Sequence, residues 1–137
     1  MAELQDFIDA QDKVWPEVEA ELRSGRKTSH WIWYVFPQLD SLGRSPMAQH
    51  YGLSGLDEAR NYLAHPLLRA RLEQAAQLLL DSEVGDPVAI LGETDAMKVR
   101  SSMTLFEAVE DAPPVFSQVL DRLYSSERCP HTRKAIG

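Results

Sequence analysis

Apolar residues recur with the period of an α-helix through most of the chain. From Leu4 to Leu22 they occupy one side of a helix, and acidic residues fill most of the remaining positions. Pro16 interrupts this segment, so the pattern allows either a kinked helix or a second helix that starts at the proline. Similar stripes follow Pro66 and Pro114. The apolar positions of the three segments are Leu4, Phe7, Ile8, Trp15, Val18 and Leu22; Leu67, Leu68, Leu72, Ala75, Ala76 and Leu79; and Val115, Phe116, Val119, Leu120, Leu123 and Tyr124.

Capping residues and glycines divide the rest of the chain into shorter helices. Ser45-Pro46 and Asp86-Pro87 each place a capping side chain directly before a proline, which predicts a helix start. Gly25 predicts the end of the first helix, and Gly92 predicts the end of the helix that begins after Asp86.

Two further helix starts are predicted from side chains that can cap a helix. Ser54 and Asp57 resemble a capping box, in which each side chain binds a backbone N–H of the first turn. Thr94 or Asp95 predicts the start of a helix that runs toward Val109.

The segment from Trp31 to Phe36 is rich in aromatic and β-branched residues, which are common in strands. No turn-linked partner strand accompanies it, so a buried helix that ends before Pro37 is the more consistent interpretation. The prediction for residues 1–137 is therefore an all-α fold: a single compact orthogonal multi-helix domain with at least six helices. From about residue 126 the chain is polar and basic, and its end can fray.

Charge and composition exclude several classes of protein. The net charge of -7 and the pI of about 5.0 argue against binding to nucleic acid or to anionic membranes, which requires clustered positive charge. Cys129 is the single cysteine, so no intrachain disulfide can form and a reducing compartment fits best. The acidic start lacks the features of a signal peptide, and the apolar run is too short to span a bilayer. We expect a cytoplasmic monomer or small homo-oligomer.

Cofactor and metal motifs are not apparent in the sequence. Its glycines form no Walker or dinucleotide fingerprint, so no cofactor is predicted. The four histidines show neither an i,i+4 pair nor a His-Glu-x-x-His motif, and no cysteine cluster accompanies them. We therefore predict no metal site.

The first candidate site lies between Gly25 and Gln38. On a helix, the imidazole of His30 would share one side with Trp33, so the histidine could transfer a proton while Trp31 or Trp33 stacks on a planar ligand. The amide of Gln38 could bind a polar edge of that ligand. The alternative is that the aromatic residues belong to the core and His30 caps the helix.

Two cations, Arg26 and Lys27, precede this aromatic segment. They could clamp a phosphate or carboxylate, helped by the backbone N–H groups of the helix start. The alternative is a solvated turn between two helices.

The second candidate site is the segment Lys98 to Thr104. Lys98 and Ser102 lie one helical turn apart, so the lysine could act as the base for a serine nucleophile. Arg100 and Ser101 could contribute to the binding of an anionic or polar ligand. Alternatively, Ser101 and Ser102 are buried and bond back to the preceding turn of the helix.

Several stretches, in this order, cover nearly the whole chain: Gly25-Arg26-Lys27, Ser29-His30-Trp31-Ile32-Trp33-Tyr34-Val35-Phe36-Pro37-Gln38-Leu39, Leu42-Gly43-Arg44-Ser45, Tyr51-Gly52, Glu58-Ala59, Tyr62-Leu63-Ala64-His65-Pro66, Lys98 and Ser101-Ser102-Met103-Thr104-Leu105-Phe106. Together they resemble the signature of the bacterial domain-of-unknown-function family numbered 1810. The resemblance implies a small, almost wholly α-helical protein but no established activity; some members carry a calpastatin label that we regard as mistaken.

These observations support two hypotheses of function. In the first, the two candidate segments meet and form a pocket for a small anionic or nucleotide-like metabolite, whose anionic group would contact Arg26, Lys27, Lys98 and Arg100. In the second, the aromatic cluster is purely core, and the acidic first helix is the surface of a non-enzymatic interaction module. The sequence does not decide whether the protein is an enzyme.

Overall fold

The computed structural model describes residues 2–137, which form nine helices. Four of these helices begin directly at a proline, and in three of them the side chain of the preceding residue accepts a hydrogen bond from the first turn. The helices are α1 (Leu4–Ser24), α2 (Ile32–Val35), α3 (Pro46–Tyr51), α4 (Leu56–Ala64), α5 (Pro66–Leu80), α6 (Pro87–Leu91), α7 (Glu93–Glu107), α8 (Val115–Leu123) and α9 (Pro130–Ile136).

The all-α prediction is confirmed. Within residues 2–137 no strand forms, and the one β-bridge pairs Leu39 with Leu53. The aromatic segment contains α2, but this helix is only a single turn, and Trp31 and Phe36 flank it. Both of these flanking side chains are fully buried. None of the helices in this part of the chain combines enough length with enough apolar character to cross a membrane.

The first helix is continuous through Pro16. Of the two alternatives that the sequence left open, a single long helix is therefore the one observed. It ends at Gly25, whose φ of 77° lies in the left-handed region that glycine adopts without steric cost. The buried side of α1 packs on α5, which in turn packs on α8.

A row of aromatic rings connects four helices through the core. Phe7 of α1 meets Tyr62 of α4 edge to face, with ring centroids 5.2 Å apart. Tyr62 lies 5.2 Å from Phe106 of α7, which lies 6.2 Å from Phe116 of α8. All four side chains are fully buried. Through Phe106, this row packs α7 against α4 and α8 in the core.

The predicted caps are confirmed for α3 and α6 and wrong for α4 and α7. The side chains of Ser45 and Asp86 accept hydrogen bonds from the first turns of their helices. In contrast, α4 begins after Gly55, and the Ser54 N–H donates to the carboxylate of Glu58 instead. Helix α7 begins at once after Gly92, so Thr94 and Asp95 lie inside its first turn and their side chains are available for other contacts.

The chain end, for which the sequence predicted possible fraying, contains α9. Arg128 precedes this helix and donates to both carboxylate oxygens of Glu107 at 3.0 Å and to Asp121 at 2.6 Å. The backbone N–H of Cys129 donates to Thr104 Oγ1 at 3.0 Å. These bonds attach the last helix to α7 and α8.

Candidate functional site

The two candidate segments of the sequence lie against each other in the fold. Lys27, before α2, places its Nζ 2.8 Å from Oδ2 of Asp95 in α7. The Nζ of Lys98 lies 5.6 Å from the ring centroid of Trp33. A loop and a helix that are far apart in sequence therefore form one neighbourhood.

A cleft opens between the loop that follows α2 and the first turns of α7. Its volume is about 320 Å³, which is within the range of small-molecule sites. None of the described residues that line it carries a carboxylate, although the protein as a whole is acidic. We call it the cationic cleft; its lining residues are Gln38, Leu42, Gly43, Arg44, Ser45, Ala48, Thr94, Met97, Lys98 and Ser101.

Lys98 is a predicted site residue that lines the cationic cleft. Its side chain is 22% exposed, and its Nζ lies 3.9 Å from Oδ1 of Asp95. Since Asp95 binds Lys27 more closely, at 2.8 Å, its charge is largely compensated by Lys27. Lys98 therefore keeps N–H donors for a further partner at the cleft.

Arg44 is a functional candidate that the sequence analysis missed. It is exposed, lines the cleft, and forms no ion pair with any carboxylate of residues 2–137. Ser45 and Thr94 also line the cleft without having been predicted as site residues. The available signal was a cation beside a glycine in a loop, which by itself does not distinguish a site from a solvated turn.

Two predicted ligand-binding residues are instead structural. Trp31 is fully buried, so its ring cannot stack on a ligand, and its Nε1–H donates to Glu21 at 3.1 Å. The Lys27 side chain is 6% exposed, lies over the Trp31 ring at 4.9 Å, and is paired with Asp95. The prediction that Trp31 and Lys27 contact a ligand is thus wrong, because burial and pairing already occupy both.

The carboxylate of Glu21 organises the loop between α1 and α2. Its Oε1 accepts hydrogen bonds from the backbone N–H groups of Thr28 at 2.7 Å and Ser29 at 2.9 Å, in addition to the Trp31 indole. Burial raises the pKa of Glu21, but these hydrogen bonds lower it by more, so its pKa lies below the usual value of 4.5. Glu21 therefore acts as an ionised support for the loop.

His30 and Arg26 are exposed and line neither the cationic cleft nor the smaller space beside Trp33. The helix begins only at Ile32, so His30 is not part of it, and the predicted geometry in which His30 shares a helical face with Trp33 is wrong. The backbone oxygen of His30 accepts a hydrogen bond from the Tyr34 hydroxyl at 3.4 Å. Neither predicted residue is brought to the cleft.

The proposed pair of Lys98 and Ser102 is also not assembled as a catalytic unit. Ser102 is fully buried, and its Oγ has no hydrogen-bond partner among the described residues. A nucleophile must reach its substrate, and this side chain does not line the cleft. Ser101 does line it, and its Oγ donates to the carbonyl of Met97 at 3.0 Å, so the predicted back-bonding holds for Ser101 but not for Ser102.

Arg100 lines a second cleft, which also contains Met97, and not the cleft that contains Lys98. This second cleft has a volume of about 390 Å³ and a mostly apolar lining. The guanidinium of Arg100 lies 3.9 Å from Glu127. We call it the apolar cleft; its lining residues are Pro87, Val88, Glu93, Ala96, Met97, Arg100 and Tyr124.

Cys129 is buried beneath the cationic cleft and contacts one of its lining residues. Its Sγ lies 3.3 Å from the Oγ of Ser101. Burial raises the pKa of the thiol, but neighbouring polar groups, above all the Ser101 hydroxyl that contacts it, lower it by more, so its pKa lies below the ordinary value. In residues 2–137 no group of three or more His, Cys, Asp and Glu side chains is placed to hold a metal ion.

The fold and the cleft thus define a small, all-helical protein that carries a cationic cleft although its net charge is negative. The chain belongs to the family described as Protein of unknown function (DUF1810), whose model matches residues 1–136. It is similar to the crystal structure of the conserved hypothetical protein Rv1873 from Mycobacterium tuberculosis, with 41% sequence identity and a TM-score of 0.94. That match covers 97% of this chain and 95% of the other. No curated protein gives a significant match.

Proposed function

We propose that this protein binds a small anionic ligand in the cationic cleft. The observation that carries the proposal is the charge of the lining: two cations, Arg44 and Lys98, and no carboxylate. Acidic residues outnumber basic ones by 21 to 14 in the chain, so a lining with cations alone departs from the rest of the molecule. Such a depression concentrates anions locally.

The donors around the cleft suit a carboxylate or phosphate group. The guanidinium of Arg44 offers two parallel N–H groups, and Lys98 offers a more compact positive charge. The amide of Gln38 and the hydroxyl of Thr94 add neutral donors at the same cleft. The ligand-binding role predicted for Gln38 and Lys98 is thereby kept as part of the proposal.

The geometry favours an anion without a stacked aromatic ring over a nucleotide whose base stacks on tryptophan. Trp33 is half-buried, and the space beside it, next to Gln38 and Lys98, is about 10 Å³. This is about the space that a single water molecule needs, so no aromatic ring fits there. The anionic group, not a base, is what the cleft recognises.

The proposal is one of binding and does not include a reaction. The groups that the sequence suggested for proton transfer and nucleophilic attack, His30 and Ser102, do not line the cleft. Ser101, a predicted residue that does line the cleft, already contacts the carbonyl of Met97 and the thiol of Cys129.

The test is a thermal-shift screen of phosphate monoesters and carboxylates against the wild-type protein and three variants. Arg44→Ala and Lys98→Ala each remove one cation of the cleft, whereas Lys13→Ala removes the same charge from an exposed position on α1. We expect at least one compound to stabilise the wild type and the Lys13 variant. In the two cleft variants its affinity should fall about tenfold or more, since hydrogen bonds to charged groups contribute about 1.5–3 kcal/mol.

Two results would contradict the proposal. One is a screen in which no anion stabilises the wild-type protein. The other is a compound that stabilises all four proteins equally, because its site would then lie outside the cationic cleft.

A further inference from the structure

Met97 separates the cationic cleft from the apolar cleft and lines both of them. Its side chain is unusual for a large apolar residue because 62% of it is exposed. The two depressions are therefore adjacent, and a flexible thioether side chain forms the ridge between them.

The helical geometry of α7 explains this arrangement. Residues three and four positions apart share one side of a helix, so two neighbouring rows face the two clefts. Met97 is three or four positions from members of both rows and lies between them. One row consists of Glu93, Ala96 and Arg100, and the other of Thr94, Lys98 and Ser101.

The solvent-exposed lining of the apolar cleft consists mostly of hydrocarbon groups. Val88 is 46% exposed at its edge, and Pro87 and Ala96 lie beside it. The hydroxyl of Tyr124 donates to the carbonyl of Ala96 at 2.7 Å, so its O–H donor is already used and the ring supplies apolar surface. The two charged residues of this lining, Glu93 and Arg100, have opposite signs. The cleft as a whole therefore does not select an anion or a cation.

We propose that the ligand is an amphipathic anion with a charged head and an alkyl chain. The proposal rests on the function proposed above and specifies the ligand class. The head lies in the cationic cleft at Arg44 and Lys98, and the chain crosses Met97 into the apolar cleft beside Val88. The strong charge of one cleft, the apolar lining of the other and their shared residue together require a ligand with both properties.

The dimensions are compatible with a chain of moderate length. The two rows of α7 lie on one side of a helix whose diameter with side chains is about 10–12 Å. An alkyl chain needs to cross only part of this distance to pass from Lys98 over Met97 to Val88. Each methylene that leaves water for the apolar cleft is expected to tighten binding about fourfold.

The experiment measures affinity by calorimetry for inorganic phosphate, butyl phosphate, hexyl phosphate and octyl phosphate, each below the concentration at which micelles form. We expect affinity to rise with chain length in the wild-type protein until the apolar cleft is filled. Val88→Asp should remove most of this rise, whereas the added negative charge should weaken the binding of inorganic phosphate far less than that of octyl phosphate. Lys98→Ala should weaken binding of all four compounds by a similar factor.

A matched control keeps the test specific. Val84 is 48% exposed, close to the value for Val88, but does not line the apolar cleft, so Val84→Asp should preserve the rise with chain length. If Val88→Asp does not fold, Met97→Gln provides a second variant, because it replaces the exposed ridge with a polar side chain of similar length. It should likewise reduce the rise.

The outcomes separate the two proposals. In one outcome, binding depends on Lys98 but the three alkyl phosphates bind no more tightly than inorganic phosphate. The amphipathic ligand is then excluded, and the anion site stands. A rise with chain length that Val88→Asp and Met97→Gln leave intact also excludes it, since the chain then lies elsewhere. If no compound binds, or if binding is independent of Lys98, the proposed function itself fails.

Discussion

The ammonium of Lys27 lies 2.8 Å from a carboxylate oxygen of Asp95, which joins the loop before α2 to the first turn of α7. The side chains of Lys27 and Asp95 are only 6% and 17% exposed, so this is an ion pair largely removed from water. It determines how the loop and α7 lie relative to each other, and Asp95 in turn lies near Lys98 at the cationic cleft.

Lys27→Ala should destabilise the protein by about 3 kcal/mol. Removal of Lys27 leaves the buried carboxylate of Asp95 without its close partner, because the remaining cation, Lys98, lies 3.9 Å away, and such a loss is costly. Urea unfolding measures the loss. The control is Lys13→Ala, which removes an exposed lysine of α1 and should change stability by no more than about 0.5 kcal/mol. Equal losses of unfolding free energy in the two variants would contradict a stabilising role of the pair between Lys27 and Asp95.

Glu21→Gln should cost about 2 kcal/mol, because hydrogen bonds to a charged acceptor are stronger than those to an amide oxygen. Three donors, from Thr28, Ser29 and Trp31, depend on this carboxylate. Urea unfolding at neutral pH provides the measurement, with Glu17→Gln on the exposed side of α1 as the control. A Glu21 variant as stable as the Glu17 variant would contradict the supporting role of the carboxylate.

The contribution of Glu21 should disappear in acid. Its pKa in the folded protein lies below the ordinary 4.5, so the folded state favours the ionised form. The resulting stability is fully present above pH 4.5 and is lost as the pH falls through the folded pKa. The difference in unfolding free energy between wild type and Glu21→Gln should therefore narrow below pH 4.5, as urea titrations at several pH values would show. A difference that stays constant in acid would contradict the pKa shift.

Ser102→Ala should leave stability unchanged or raise it by up to about 1 kcal/mol, because a buried hydroxyl without a partner is unfavourable. Anion binding should also be unaffected, since Ser102 does not line the cationic cleft. Ser101→Ala is the contrasting variant: it removes the contacts with Met97 and Cys129 and should destabilise the fold. Loss of ligand binding in a stable Ser102→Ala protein would show that this buried serine contributes to the binding site, contrary to its position outside the cleft lining.

Much of the helical architecture was predictable from the sequence because its signals are local. Ser45 and Asp86 each cap the helix that follows them, as their positions before prolines indicated. The caps predicted for α4 and α7 are wrong, because Gly55 and Gly92 occupy the N-cap positions of those helices. A capping pattern indicates only which side chain is able to cap a helix. It does not determine which residue takes the N-cap position.

The site was predictable only in part. Lys98, Ser101 and Gln38 line one cleft, as the meeting of the two segments required. Trp31 and Ser102, however, share the residue types of a ligand site and lie inside the protein. Composition identifies which chemical groups are present, but burial decides which of them a ligand can reach.

The sequence by itself determined that the chain is helical and acidic, because the apolar period, the caps and the net charge are properties of neighbouring residues and of composition. The tertiary structure decided which cations remain available. Lys27 and Lys98 are both lysines near aromatic residues, but packing places Asp95 against the first and leaves the second at the cleft with Arg44. Which lysine meets that carboxylate depends on how α7 packs against the loop before α2, and a contact between residues so far apart in sequence is not encoded in any local pattern.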